Sequence, residues 1–278
     1  DREHNEVWPG GRTNHYWFDL NRDWLPLAQI ESRNRMDFYR KWLPNVVTDY
    51  HEMGTNSPYF FEPTKPFGSE NPIVPRSNYD HLNNLFAPYF VKALDDIGSL
   101  YFTKEVFDNS YPGYGSTYPD IHGGLGMVFE QASSRGHLQE SDSEDVTFAF
   151  TIRNHLRTSL ATVRASVENR TTLLKHQRTF FAEAKAKGKK ATTQSYVFGD
   201  SHDCNRTRAL AELLLRHGIK TYQLTEDLHS DGHHYAVGKA FMVPADQAQY
   251  LMVQTFFEPV TEFHDSVFYD ASSWTVAL

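Results

Sequence analysis

The pattern of apolar and polar positions divides this chain into two textures that change near residue 191. From Leu27 to Trp42 apolar residues return at helical spacing, and Pro44 ends the run because it lacks an amide donor. Val46-Val47-Thr48-Asp49-Tyr50 follows as a short strand, β-branched and aromatic, leading straight into His51. Residues 54–78 are rich in Pro, Asn and Ser and predict a long surface loop. Helical periodicity returns from about Asp80 to Leu100, and a Tyr/Gly/Pro loop covers Tyr111 to Gly126. Leu125 to Phe129 predicts a second short apolar strand, ending at Glu130. From Val146 to Lys187 the pattern is helical again, with Leu156, Leu160, Val163 and Val167 at steps of three and four.

Lys185 to Lys190, with Gly188 inside it, reads as a solvated helix end and linker. Beyond it, Ser195–Gly199 predicts a strand, Asn205–His217 a helix and Lys220–Leu224 another strand, together a β-α-β unit. The expected fold class is therefore α/β. Residues 1–190 would form a mixed sheet flanked by helices, and residues 191–278 part of a smaller α/β domain. No internal repeat or low-complexity tract interrupts this plan. Residues 1–24 are loop-like and crowded with aromatic and polar groups.

Composition narrows the class. With 278 residues, 40% hydrophobic and 22% charged, the chain has the make-up of an ordinary globular protein. Its formal net charge of −8 argues against a nucleic-acid partner, because there is no basic surplus to neutralise phosphates. No apolar run is long enough to span a bilayer. Cys204 is the sole cysteine, which excludes an internal disulfide and a Cys-rich metal site. The chain opens on Asp1 with nothing resembling a signal peptide, and Phe268 to Leu278 reads like the start of another element. Both ends are expected to be internal to a longer chain.

Three groups of residues have the chemistry of a site. His51 and Glu130 each follow an apolar strand, and in open α/β sheets ligands collect at the carboxyl ends of strands. A histidine there can bind a metal and a glutamate can take a proton from water; a hydrogen-bonded structural role is the alternative for His51. A carboxylate after Val128-Phe129 is costly to bury unless paired or functional. In Asp19-Leu20-Asn21-Arg22-Asp23-Trp24, an Arg beside an Asn in an apolar frame can grip a carboxylate by charge-assisted hydrogen bonds. The competing reading is an Asp19–Arg22 or Arg22–Asp23 pair that locks the loop.

The segments Asp19 to Trp24, Thr48 to Gly54 and Gly126 to Gln131, in that order and spacing, resemble the zinc carboxypeptidases related to carboxypeptidase A, most nearly their larger bacterial members. The resemblance runs from about Trp17 to Gln131. It implies that His51 is the last of three zinc ligands and that Glu130 activates the water and passes its proton to the leaving amine. It also implies that Asn21 and Arg22 hold the free C-terminal carboxylate of a peptide or peptide-like substrate. The family's mobile tyrosine would fall among Tyr111, Tyr114 and Tyr118, with Tyr111 and Tyr114 nearest the expected spacing. Arg2 and Arg12 are the candidates for the arginine that polarises the scissile carbonyl. Bacterial members of the family are often exported, to the periplasm or beyond, and this chain leaves its compartment open.

One departure stands out. The family's His-x-x-Glu motif, which supplies the other two zinc ligands, is not found ahead of Asn21. His4-Asn5-Glu6 has the wrong spacing, and His137-Leu138-Gln139-Glu140 comes after Glu130, beside an acidic, Ser-rich stretch. The remaining ligands are therefore expected upstream of this chain, which alone would lack a full zinc site. His229 to His234 predicts a polar turn, with a surface metal site as its alternative. Besides a metallocarboxypeptidase, two other readings fit: a non-catalytic module of the same fold that grips a peptide end or carboxylate, and a glycan-binding protein suggested by the 14% aromatic content. An intact Glu130 weighs against the first of these, since a binder needs no base.

Overall fold

The computed structural model describes residues 12–66 and 68–259. Arg2 and the segment from Phe268 to Leu278, singled out above, lie outside the described residues. The first helix is α1 (Ile30–Trp42), closed by Leu43 in a left-handed conformation whose amide donates to the Tyr39 carbonyl. Strands β1 (Val46–Met53) and β2 (Tyr59–Phe61) follow. A wide π-type turn, Asn78–Leu82, leads into α2 (Asn83–Asp95), and then come β3 (Tyr101–Phe102) and β4 (Leu125–Ala132). These strands make one mixed sheet in the order β1-β4-β2-β3. β1 and β4 are parallel, β2 and β4 antiparallel, and β2 and β3 parallel. Among the described residues β1 has a sheet neighbour on one side only, so its other edge is open along eight residues.

The expected surface loop at 54–78 is corrected here. Tyr59, Phe60, Phe61 and Glu62 are all buried, with β2 inserted between β4 and β3. Three aromatic residues in a row bury enough apolar area to outweigh the polar, Pro-rich composition around them. The Tyr/Gly/Pro loop is likewise packed inside: Tyr118 and Ile121, in a 3-10 turn, are fully buried.

A short hairpin of β5 (Leu138–Gln139) and β6 (Val146–Thr147) precedes two long helices, α3 (Phe148–Glu168) and α4 (Arg170–Lys190). Thr147 caps α3 by accepting from the Phe150 amide, and Asn169 separates it from α4. The single helical run from 146 to 187 is thus two helices. Gly188, read as part of a linker, is instead buried in α4. A Cβ added there would overlap the Ala245 carbonyl, so only glycine lets the helix approach that backbone.

Beyond α4 come β7 (Ser195–Gly199), α5 (Cys204–Arg216), β8 (Tyr222–Gln223), β9 (Leu228–Ser230), β10 (His233–Tyr235), β11 (Ala240–Pro244) and α6 (Tyr250–Phe257). β11 lies between β7 and β8 and runs antiparallel to both, so the two strands of the expected β-α-β unit are parallel but not adjacent.

The molecule is an α/β protein with a mixed sheet flanked by helices. On one face, Tyr59, Phe61, Leu125, Met127 and Phe129 pack against Phe86 and Phe90 of α2 and Ala165 of α3. On the other, a second apolar cluster runs from Trp24, Met36 and Tyr118 through Phe180 to Leu214, Val243 and Met252, with Val47 of β1 packed against it. This second cluster draws on residues from both sides of position 191.

Candidate active site

β1 and β4 lie side by side in parallel register, and His51 is paired directly with Glu130, Asp49 with Val128. Side chains on a strand alternate faces, so Asp49 and His51 share one face of β1, while Tyr50 points to the opposite face, stacked on Phe129 at 4.6 Å. The register therefore sets an imidazole beside a carboxylate at the carboxyl ends of two neighbouring strands. The same cleft, of about 230 Å³, is lined by Arg12, Asn21, Arg22, Asp49, His51, Tyr114 and Glu130, with Phe107, Asp108, Ser116 and Val128 completing its wall.

Asn21 and Arg22 reach the cleft on a 3-10 turn, Leu20–Arg22, capped by Asp19, whose carboxylate accepts from the Asn21 amide at 2.9 Å. Asn21 is at the centre of the polar contacts. Its Nδ2 lies 2.9 Å from Asp49 Oδ2 and 2.9 Å from His51 Nε2, and its Oδ1 accepts from the Gly115 amide at 2.9 Å. Gly115 has no room for a side chain: a Cβ there would lie 2.9 Å from Asp49 Oδ2 and 3.1 Å from Asn21 Oδ1. Arg22 sits over the Tyr114 ring at 4.3 Å, a cation–π contact. Its Nη1 is 3.8 Å from Asp19 Oδ2, too long for a hydrogen bond, and its side chain stays 42% exposed at the cleft mouth. The loop-locking pair anticipated in the sequence therefore exists only as a loose ion pair. Asp19's closer partner is Arg12, at 2.9 Å.

Electrostatics follows from this packing. Burial works to lower the His51 pKa, but the hydrogen bond and charge of Asp49, at 2.7 Å from Nε2, and the charge of Glu130 together raise it. Burial pushes Glu130 up to about 7, against the pull of His51 and Arg12, and the charges of Asp49 and Glu52 add to the rise. Behind the sheet, His155 hydrogen-bonds the His51 backbone and lies 3.0 Å from the Tyr59 hydroxyl; burial lowers its pKa.

The structure thus brings together Asn21, Arg22, His51, Glu130 and Tyr114, with Arg12, one of the two further arginines singled out in the sequence, in the same cleft. Tyr111 stands behind them: its hydroxyl donates to the Arg22 carbonyl at 3.1 Å and its ring packs edge-on against Tyr114. Tyr118 is in the core, bonded through its hydroxyl to His217. Asp49 was missed by the sequence reading, although strand alternation points to it, since it sits two residues before His51 on the same face. His137 and Glu140 lie at an exposed turn and hairpin. His229 and His234 stack at 4.6 Å across the β9–β10 hairpin, with His234 bonded to Asp227.

Among the described residues no group of three or more His, Cys, Asp or Glu side chains is arranged to hold a metal ion. Around His51 the nearby donors are two carboxylates, and His51 Nε2 is already engaged by Asp49 and Asn21. The described residues do not by themselves fit a three-ligand zinc site.

No protein-family model matches the chain. No curated protein matches it. Among solved structures it is similar to a metallo-carboxypeptidase from Burkholderia cenocepacia, at 17% sequence identity and a TM-score of 0.39. That similarity covers 56% of this chain and 41% of the other, so the chain spans well under half of the structure it matches.

Proposed function

We propose that this chain carries the substrate-gripping and proton-transferring half of a metallocarboxypeptidase site. It would act on peptides or peptide-like substrates that end in a free carboxylate. One observation supports this reading above all: Asn21-Arg22, His51, Tyr114 and Glu130, from four separate segments, line a single cleft at the carboxyl ends of two parallel strands. In this reading the Arg22 guanidinium, held over Tyr114 and open at the cleft mouth, takes the terminal carboxylate through paired N–H donors. Asn21, whose amide donates to Asp49 and lies 2.9 Å from His51, would turn a hydrogen from one of them to donate beside it, which would set the distance from the chain end to the scissile bond. Glu130 takes a proton from the attacking water and returns it to the leaving amine. Zinc is the expected cofactor. His51 would give one ligand and the others would come from outside residues 1–278.

A second reading, a carboxylate-binding module without hydrolysis, is favoured by the engagement of His51 Nε2 with Asp49 and Asn21. One experiment separates the two. Zinc binding and hydrolysis of a peptide, with its C-terminus either free or amidated, are measured on residues 1–278 and on a longer natural chain that includes the sequence before Asp1. The expected outcome is zinc binding and carboxypeptidase activity only in the longer chain, abolished by Glu130→Gln. Binding of the free-carboxylate peptide with no hydrolysis in either chain supports the second reading. Tight stoichiometric zinc in residues 1–278 alone overturns the expectation that ligands lie elsewhere. Hydrolysis indifferent to the free carboxylate overturns the role of Arg22.

A further inference from the structure

Two walls of the cleft are loops. Asn21 and Arg22 stand on a single 3-10 turn, and the segments 23–29 and 111–117 around them have no helix or strand of their own. A loop places a side chain only as well as its supporting contacts allow. These two segments first support each other. The Gly115 amide donates to Asn21 Oδ1 at 2.9 Å, the Trp24 amide to the Gly113 carbonyl at 3.2 Å, and the Tyr111 hydroxyl to the Arg22 carbonyl at 3.1 Å.

They meet again behind the cleft, at a side chain from beyond position 191. His217, at the end of α5, is fully buried. Its Nε2 lies 2.8 Å from the Leu25 carbonyl and its Nδ1 2.8 Å from the Tyr118 hydroxyl. A carbonyl only accepts, so Nε2 carries the hydrogen, and the neutral ring offers Nδ1 to the tyrosine O–H. Burial keeps the ring in that neutral form. One ring thus ties the segment that follows Arg22 to the segment that follows Tyr114, whose carbonyl accepts from the Tyr118 amide at 3.0 Å. Between the two ties, the Trp24 and Tyr118 rings pack at 5.7 Å. Arg35 covers Trp24 at 4.0 Å and donates to the Leu20 carbonyl at 3.1 Å, at the start of the turn that carries Asn21. The end of α5 is itself anchored. Arg40 of α1 donates to the Leu215 and Arg216 carbonyls at 3.2 and 3.1 Å, in the last turn, where a helix leaves its carbonyls without partners of its own.

We propose that the α/β unit after position 191 clamps the cleft, with His217 as the positioning residue that fixes the Asn21-Arg22 turn and the Tyr114 loop against each other. The cleft is lined by residues up to Glu130, so the clamp acts on it from behind. Its bearing on a substrate rests on the reading of Arg22 as the grip for a carboxylate; its bearing on loop order does not. The imidazole is suited to the task because it presents one donor and one acceptor to two different loops. An apolar side chain of similar size fills the same space but leaves the Leu25 carbonyl and the Tyr118 hydroxyl unpaired in the core, whereas glutamine brings an N–H and a carbonyl of its own.

The test measures amide hydrogen exchange and peptide binding on the full 278-residue chain. In His217→Leu the Trp24 and Gly115 amides should exchange about tenfold faster, over and above any gain at the amides of β1 and β4, since a general loss of stability speeds all of them alike. Affinity for an N-acetylated tripeptide with a free C-terminus, read by calorimetry well below the melting temperature, should fall by about tenfold in the same variant. His217→Gln should restore both. Tyr118→Phe, which removes one hydroxyl and keeps the ring packing, approaches the clamp from the other side and should show both changes in smaller measure, even where His217→Leu does not fold. Loop amides that gain no more than those of β1 and β4 overturn the clamp. So does a folded His217→Leu chain that binds the peptide as the parent does, or a His217→Gln chain that is no better than His217→Leu. A parent chain that ignores the free-carboxylate peptide sinks the reading of Arg22 instead, and the exchange rates alone then decide the clamp.

Discussion

At the scale of single residues, the cleft depends on Asp49. Its carboxylate holds both the Asn21 amide and the His51 ring, so one side chain aligns Asn21 with the imidazole. Replacing it with asparagine removes the charge that raises His51 and leaves burial to dominate. The expected outcome is a His51 titration midpoint that moves down in the Asp49→Asn chain, read by NMR of the ring protons. Gly115→Ala should disturb the same group from the other side. Its new methyl would press on Asp49, Trp24 and Asn21 and cost about 1–3 kcal/mol, measured as a lowered unfolding midpoint. Much of this site was legible in the sequence because it follows from local order: Asn21-Arg22 sits in an apolar frame, and His51 and Glu130 each end an apolar strand. Asp49 escaped notice because one Asp within a strand looks like any other until register shows which face meets the cleft.

At the scale of elements, sequence periodicity found α3 and could not say which way it faced. Apolar spacing marks a helix and normally marks its buried side, but here the sheet is met by threonines and an asparagine that pair with Tyr59 and Gln131. That inversion depends on partners far along the chain, which a local pattern cannot contain. It makes a direct prediction. Thr158→Val keeps the shape of the buried face but leaves the Tyr59 hydroxyl with His155 alone, at a cost of about 1–2 kcal/mol. Chemical denaturation checks this, and adding Tyr59→Phe should not restore the loss, since His155 Nδ1 is then left without its partner. β2 was missed for a related reason: Tyr59 to Phe61 is too short to show a period, and its composition is outvoted by the prolines and asparagines around it.

At the scale of the whole molecule, buried ionisable groups set how stability responds to acid. Burial holds the His217 pKa at about 4, and burial, with the charge of His217, holds that of His122 at about 3, each against an ordinary 6.5. Both stay neutral on folding, so the stability they confer is complete above about pH 6.5 and is lost progressively as pH falls. Glu62 acts in the opposite direction. Burial, only partly offset by hydrogen bonds from Asn109, Val128 and Thr64, raises it from 4.5 to about 7. Its folded form keeps a proton that the unfolded form gives up, so its contribution declines as pH rises through that window, by roughly 3 kcal/mol in all. Across pH 4.5 to 7.5 the two histidines therefore tilt the melting temperature down on acidification, while Glu62, and Glu130 raised in the same way, tilt it up. Relative to the parent chain, His217→Gln should raise the acid end of that curve against its neutral end, and Glu62→Gln should lower it. A single cooperative transition is expected for residues on both sides of position 191, because one apolar cluster runs through them.

The open edge of β1 carries a last consequence. Eight residues of backbone donors and acceptors along Val46–Met53 are a template for another strand. A strand paired along Val46–Met53 in the same direction as β1 would run past His51 and end two residues beyond it. A segment docked on that edge would thus both extend the sheet and bring its side chains near the place where Asn21, His51 and Glu130 converge.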